Sequence, residues 1–184
     1  MNRRFRNPAF QGVPLPPAQM QTLNRANALL ANGQPGQAAP IFGGLAAELE
    51  AANHPRRAAN VHAQAAHAYA DAGQGPNALA QSRAALNLFI QNQMVQRTPV
   101  FYANITRKLN NKGMKAAADA LAAEYGGKIG SVPAAAAVGA APVHHGKLPT
   151  NCAKCGAPIH GDDLNWVDDQ TVECDYCGSL IRAE

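Results

Sequence analysis

Four cysteines near the C-terminal end are the residues of this sequence best suited to chemistry. They form two C-x2-C pairs with eighteen residues between the pairs, and a glycine follows each pair: Cys152, Cys155, Cys174 and Cys177. Such pairs in a chain without a recognisable secretory leader favour a metal site over disulfides. Thiolates three positions apart can reach one ion from a tight turn, and four of them in a tetrahedron suit Zn²⁺. The spacing predicts a zinc site whose closed shell is structural rather than catalytic.

The stretch between the two pairs has the pattern of a β-hairpin. Apolar and β-branched residues flank the turn residues at 168–170: Leu164, Trp166, Thr171 and Val172. A segment of roughly 33 residues cannot bury a sufficient core, so a bound metal should hold this fold. Trp166 is then expected to be its central apolar residue. On these motifs, residues 150–184 resemble a zinc ribbon.

An iron site of the rubredoxin type uses the same two cysteine pairs and is the alternative for the metal. The second pair of a rubredoxin normally carries proline after its first cysteine, whereas Asp175 follows Cys174 in this sequence. Zinc is therefore the favoured ion.

Glycines recur at a fixed interval in the part of the chain that precedes the cysteines. Gly33, Gly73 and Gly113 are spaced 40 residues apart. Each has an apolar or aromatic residue four positions before it and an alanine five positions after it: Leu29 and Ala38, Tyr69 and Ala78, Leu109 and Ala118. Glycine readily adopts the left-handed conformation that ends a helix. The pattern predicts three helical hairpins, with helices over about 18–32, 35–53, 56–72, 76–95, 99–111 and 114–125.

This pattern resembles the tetratricopeptide repeat over residues 18–125. In that family an aromatic residue also follows the alanine by four positions. Phe42 occupies that position in the first unit, but Ser82 and Ala122 stand there in the next two, and the period of 40 exceeds the usual one of about 34. The resemblance implies a mainly α fold, a six-helix solenoid of tetratricopeptide type followed by the small β zinc ribbon. A plain six-helix bundle is the alternative.

The resemblance also implies a binding surface, because the family lines a concave face with the first helix of each hairpin and binds peptides or partner helices there. Asparagine amides can bond a peptide backbone, and arginine can pair with a carboxylate. Residues at or beside the corresponding positions are predicted to contact a protein or peptide partner: Asn27, Asn60, His67, Arg107, Asn110 and Asn111. The alternative is that they are ordinary solvated positions.

Composition and charge divide the chain into four predicted segments. These are a basic, Pro-rich arm (1–17), the helical repeat domain (18–125), a flexible Gly/Ala/Pro linker (126–149) and the zinc ribbon (150–184). Through Pro149 the net charge is +9, whereas the remainder of the chain carries −5. Because phosphate binding needs Lys and Arg, an acidic ribbon should repel nucleic acid. It could instead dock on a basic protein surface, or fold back on its own basic helices or arm.

No catalytic motif accompanies these features. The helical region has no cysteine, no nucleophile-elbow serine and no phosphate-binding loop. The most apolar long stretch is too broken by Gly and Pro to span a membrane, and no secretory signal is recognisable, so a cytoplasmic location is expected. The favoured function is a non-enzymatic adaptor or scaffold that binds protein partners through its helical surface and zinc ribbon. A nucleic-acid-associated factor using the basic arm and helices is the alternative, and a rubredoxin-like redox carrier is the second alternative.

Overall fold

The computed structural model describes residues 14–95, 97–129, 147–159, 165–168, 170–174, 176–177 and 179–183. This part of the chain is mainly helical and ends in a small antiparallel sheet. The helices are α1 (Pro17–Ala31), α2 (Pro35–Ala51), α3 (Pro55–Asp71), α4 (Gly75–Gln91), α5 (Arg97–Asn111) and α6 (Lys115–Ile129). The strands are β1 (Asn165–Asp168), β2 (Thr171–Glu173) and β3 (Leu180–Arg182).

The same backbone turn closes each of the first five helices. Gly33, Gly73 and Gly113 have φ of 70°, 75° and 76°, which confirms the predicted left-handed glycines. In the Gly73 turn, the Gly73 amide donates to the Ala70 carbonyl and the next amide donates to the Tyr69 carbonyl, at 3.1 and 2.9 Å. This pair of bonds is the Schellman arrangement, which satisfies carbonyls at the end of a helix.

Two further turns of this kind lie midway between the glycines. Asn53 has φ of 59° and Gln93 has φ of 55°, and both repeat the two hydrogen bonds of the glycine turns. The left-handed residue therefore recurs every 20 residues, so the structural unit is one helix with its turn. The predicted period of 40 marks only the turns in which that residue is glycine.

The helix ends differ from the predicted ones by a few residues. Helix α4 ends at Gln91 instead of 95, because the left-handed Gln93 closes it. Helix α5 begins at Arg97, which places Pro99 inside the first turn, where its missing N–H has no intrahelical partner to lose. Helix α6 continues past the predicted end at 125 to Ile129.

Each helix packs against the helix that follows it, and α3 also contacts α5 while α4 contacts α6. Two apolar clusters result. One lies among α1, α2 and α3 and includes Leu23, Phe42 and Leu49. The other lies among α3 to α6 and includes Leu86 and Ile105. None of the described helices combines the length and the apolar character needed to cross a membrane.

The sheet contains the predicted hairpin and one strand beyond it. Strand β1 pairs with β2, with Trp166 opposite Val172, and β2 pairs with β3, with Val172 opposite Ile181. The order β1-β2-β3 places the strand that holds Val172, a buried residue, in the centre. The core position expected for the Trp166 side chain lies outside the described residues, as do residues 1–13 of the predicted arm (1–17) and residues 130–146 of the predicted linker (126–149).

Candidate metal centre

Both cysteine pairs lie on turns of the same design. In the first turn the Cys152 amide donates to the Ala157 carbonyl, and in the second the Cys174 amide donates to the Ser179 carbonyl, both at 2.8 Å. Each bond spans five residues and folds the chain back around the pair. Gly156 has φ of 71°, a conformation that glycine adopts without steric cost, and its amide donates to the Cys152 carbonyl at 2.8 Å. The local sequence is thus suited to turning both thiols of a pair toward one point.

The four sulfur atoms form one compact group. All lie within 4.8 Å of one another, the cysteines are buried, and none forms a disulfide. The Cys152 and Cys177 sulfurs are 3.8 Å apart, and those of Cys155 and Cys174 are 3.7 Å apart. A tetrahedral centre with metal–sulfur bonds of about 2.3 Å has sulfur–sulfur edges of about 3.8 Å. The four cysteines could therefore hold a metal ion without a large movement.

The electrostatics of the group also favour a cation. Hydrogen bonding with Cys155, followed by contacts with the other two thiols, holds the pKa of Cys152 far below its ordinary range. The same contact with Cys152 is the main reason that the pKa of Cys155 is strongly raised. Four buried thiolates at this spacing need a divalent cation to offset their mutual repulsion.

The cysteine turns rest directly on helix α1 and the residues before it. The Asn27 side-chain amide donates to the Cys155 carbonyl at 2.6 Å, and the Leu15 backbone amide donates to the Cys177 carbonyl at 3.1 Å. The cysteines share one apolar cluster with Leu15 and Leu23. Within the part of the chain that the structure describes, these contacts of the cysteine turns with the helices are apolar packing and neutral hydrogen bonds. The acidic side chains of the predicted ribbon lie outside the described residues, so the predicted attraction between charges stays a prediction.

Three of the residues predicted to bind a partner face other parts of their own chain. Besides Asn27, these are Asn60, which accepts a hydrogen bond from the Arg97 guanidinium at 2.7 Å, and His67, whose ring meets the Phe101 ring edge-on at 5.5 Å between centroids. Helix α5 supplies both of these contacts. The surface positions of α3 are therefore partly covered by α5.

The other three predicted partner residues lie on the surface at the C-terminal half of α5. Arg107, Asn110 and Asn111 are exposed, and the Arg107 guanidinium donates to the Asn104 side chain at 3.0 Å. The structure thus divides the six predicted residues into two groups, of which this one is accessible from solvent.

A polar network joins α2, α3 and α4 around the buried side chain of His62, whose partner Glu50 is exposed. The two ring nitrogens of His62 lie 2.5 Å from Glu50 Oε1 and 2.6 Å from Gln81 Oε1. His62 itself is 5% exposed. The three residues are far enough apart in sequence that no local pattern could have revealed their contact.

A comparison with protein-family models, curated proteins and solved structures gives no match in any of the three. The class of protein is therefore defined by the fold and the site alone. The chain is a mainly helical protein with a C-terminal group of four buried cysteines that could hold a metal ion.

Proposed function

We propose that the protein is a non-enzymatic adaptor, in which tetratricopeptide-like helical hairpins and a structural zinc ribbon present surfaces to protein partners. The observation that carries the proposal is the closed group of four buried cysteines. If all four sulfurs bind one ion, a tetrahedral metal has no position left for water or substrate. Such a centre stabilises a fold rather than performing a reaction.

Zinc is the proposed ion because four thiolates in a tetrahedron suit it and because it carries no redox activity of its own. Bound there, it would supply the stability that a sheet with strands of three or four residues lacks. Metal analysis of the purified chain tests this assignment. One equivalent of zinc in a colourless protein is expected, whereas bound iron with visible absorption would support the redox-carrier alternative.

The proposed partner surface is the exposed C-terminal half of α5 with the turn that follows it. Arg107, Asn110 and Asn111 offer hydrogen-bond donors. Lys112 and Lys115 lie beside them and are themselves in ion pairs, with Asp71 at 3.7 Å and with Asp119 at 3.6 Å. Lys108 on the same helix is already paired with Asp71 at 2.7 Å. This arrangement suits a partner segment that presents backbone carbonyls and carboxylates.

A matched pair of double variants tests the adaptor proposal. Arg107→Ala with Asn110→Ala removes two exposed residues of the proposed surface, and Arg25→Ala with Asn24→Ala removes the same residue types from the exposed side of α1. Proteins captured from the native host by the wild-type chain should be lost with the first variant and kept with the second. Equal capture by both variants would contradict the assigned surface.

The same capture, repeated after nuclease treatment, separates the adaptor from the nucleic-acid alternative. Direct protein binding should survive the treatment. If every captured protein is lost on nuclease treatment, the chain associates with nucleic acid and the adaptor proposal is wrong.

A further inference from the structure

Two hydrogen bonds among the described residues join the cysteine turns to α1 and the segment before it, and they have a common feature. Each accepting carbonyl belongs to the second cysteine of a C-x2-C pair, Cys155 for the Asn27 amide and Cys177 for the Leu15 amide. The distance between these carbonyls is set by the arrangement of the two turns. An ion that joins the two pairs therefore also fixes the spacing of the groups that contact α1.

The side of α1 beneath this contact is apolar and closed to solvent. Leu23 and Ala26 are fully buried, Leu15 is 5% exposed, and Asn27 is 8% exposed. Gly156 brings the first cysteine turn close to this surface, since a methyl group added there would lie 3.4 Å from Asn27 Cβ. The cysteine turns thus lie against α1 at Asn27 and against the preceding segment at Leu15, and they share one apolar cluster with Leu23 and Ala26.

We propose that the four-cysteine module, meaning the described residues between 147 and 183, is a metal-dependent cover over α1, which detaches from that helix when the metal is lost. The sheet is too small to keep its shape without the ion. Once the two cysteine pairs separate, the carbonyls of Cys155 and Cys177 no longer match the positions of the Asn27 and Leu15 amides. The face of α1 is then open only in the metal-free protein. The inference rests on the metal centre of the proposed function and not on its partner surface.

The cover has a thermodynamic consequence that can be measured. If metal binding favours docking on α1, docking must favour metal binding by the same factor. Removal of the Asn27 amide deletes one docking hydrogen bond while leaving all four thiols in place. The loss of a typical hydrogen bond corresponds to a factor of about 2 to 10 in an equilibrium constant. Asn27→Ala should therefore weaken Zn²⁺ binding about 2- to 10-fold, although Asn27 is not a ligand.

Zinc affinity of the full chain can be measured by competition with a chromophoric chelator. Asn24→Ala is the matched control, because it removes an exposed asparagine from the same helix, and its affinity should equal that of the wild type. Equal affinities for Asn27→Ala and wild type would overturn the coupling. If Asn27→Ala does not fold, Leu15→Ala is the second variant, because Leu15 precedes α1 and its side chain packs in the cluster that holds the cysteines. Its zinc affinity should also be lower than that of the wild type.

Hydrogen exchange followed by mass spectrometry gives an independent readout of the cover. Removal of zinc should accelerate exchange in α1 and the residues before it, while α5 and α6 exchange as before. Unchanged exchange in α1 would overturn the proposal, and so would equal acceleration in all six helices, which would indicate general unfolding instead of a local release. The capture experiment on α5 is unaffected by either result, so the two proposals can fail separately.

Discussion

Replacing Gly73 by alanine should destabilise the helical region, although it adds a single methyl group to open space. Gly73 has φ of 75°, and a Cβ built on it meets nothing within 4 Å. The cost is therefore that of the backbone alone, roughly 1–2 kcal/mol for an L-residue in the left-handed conformation. Alanine also lowers the conformational entropy of the unfolded chain, which stabilises the folded state by about 0.4–1 kcal/mol. We expect a net loss of about 1 kcal/mol, and a larger loss for the β-branched Gly73→Val.

The opposite substitution and a helical control make this prediction specific. Gln93 occupies the equivalent turn position with φ of 55°, so Gln93→Gly should relieve backbone strain and shift stability upward or leave it nearly unchanged. Gly44 lies inside α2 in similarly open space, and Gly44→Ala should stabilise by about 0.5–1 kcal/mol.

Urea unfolding followed by far-ultraviolet circular dichroism measures all three variants against the wild type. If Gly73 holds the left-handed turn, Gly73→Ala and Gly44→Ala shift the urea midpoint in opposite directions. If both alanine variants gain stability, Gly73 does not hold the left-handed turn and the 20-residue unit is wrong.

The remaining predictions concern the metal, the buried histidine and an ion pair. A strong chelator should unfold the module at 147–183 but leave most of the helical circular dichroism, and loss of most of that signal would show that the helices need the metal. Glu50→Ala should lower the free energy of unfolding in urea by about 1 kcal/mol, because it leaves one buried ring nitrogen of His62 without its partner. An unchanged urea midpoint would mean that water replaces the carboxylate. The hydrogen bond from Arg83 lowers the pKa of Glu124 in the folded protein. The stabilisation by this pair is therefore fully present above the pKa of glutamate in the unfolded chain, about 4.3, and is lost as the pH falls through the lower pKa of the folded state. NMR titration of the Glu124 carboxyl should show a midpoint that rises in Arg83→Ala, and equal midpoints would exclude the pair in solution.

The sequence by itself determined the features that depend on neighbouring residues. The three glycine turns follow from the low cost of positive φ at glycine, and the observed angles confirm them. The grouping of four cysteines follows from turn geometry within each pair and from the β-hairpin that brings the pairs together. Six helices were predicted because their ends carry local signals of proline and glycine.

The tertiary structure alone decided which side chains meet across the chain. Asn53 and Gln93 adopt the left-handed conformation without being glycine, because packing of the helices on both sides of each turn outweighs a local cost of about 1 kcal/mol. Asn27, which sequence reasoning assigned to a partner, instead contacts Cys155, a residue 128 positions away. A residue's type limits the bonds that it can form, but its partner depends on how the apolar faces of α1 and the cysteine module fit together, and that fit involves the whole chain.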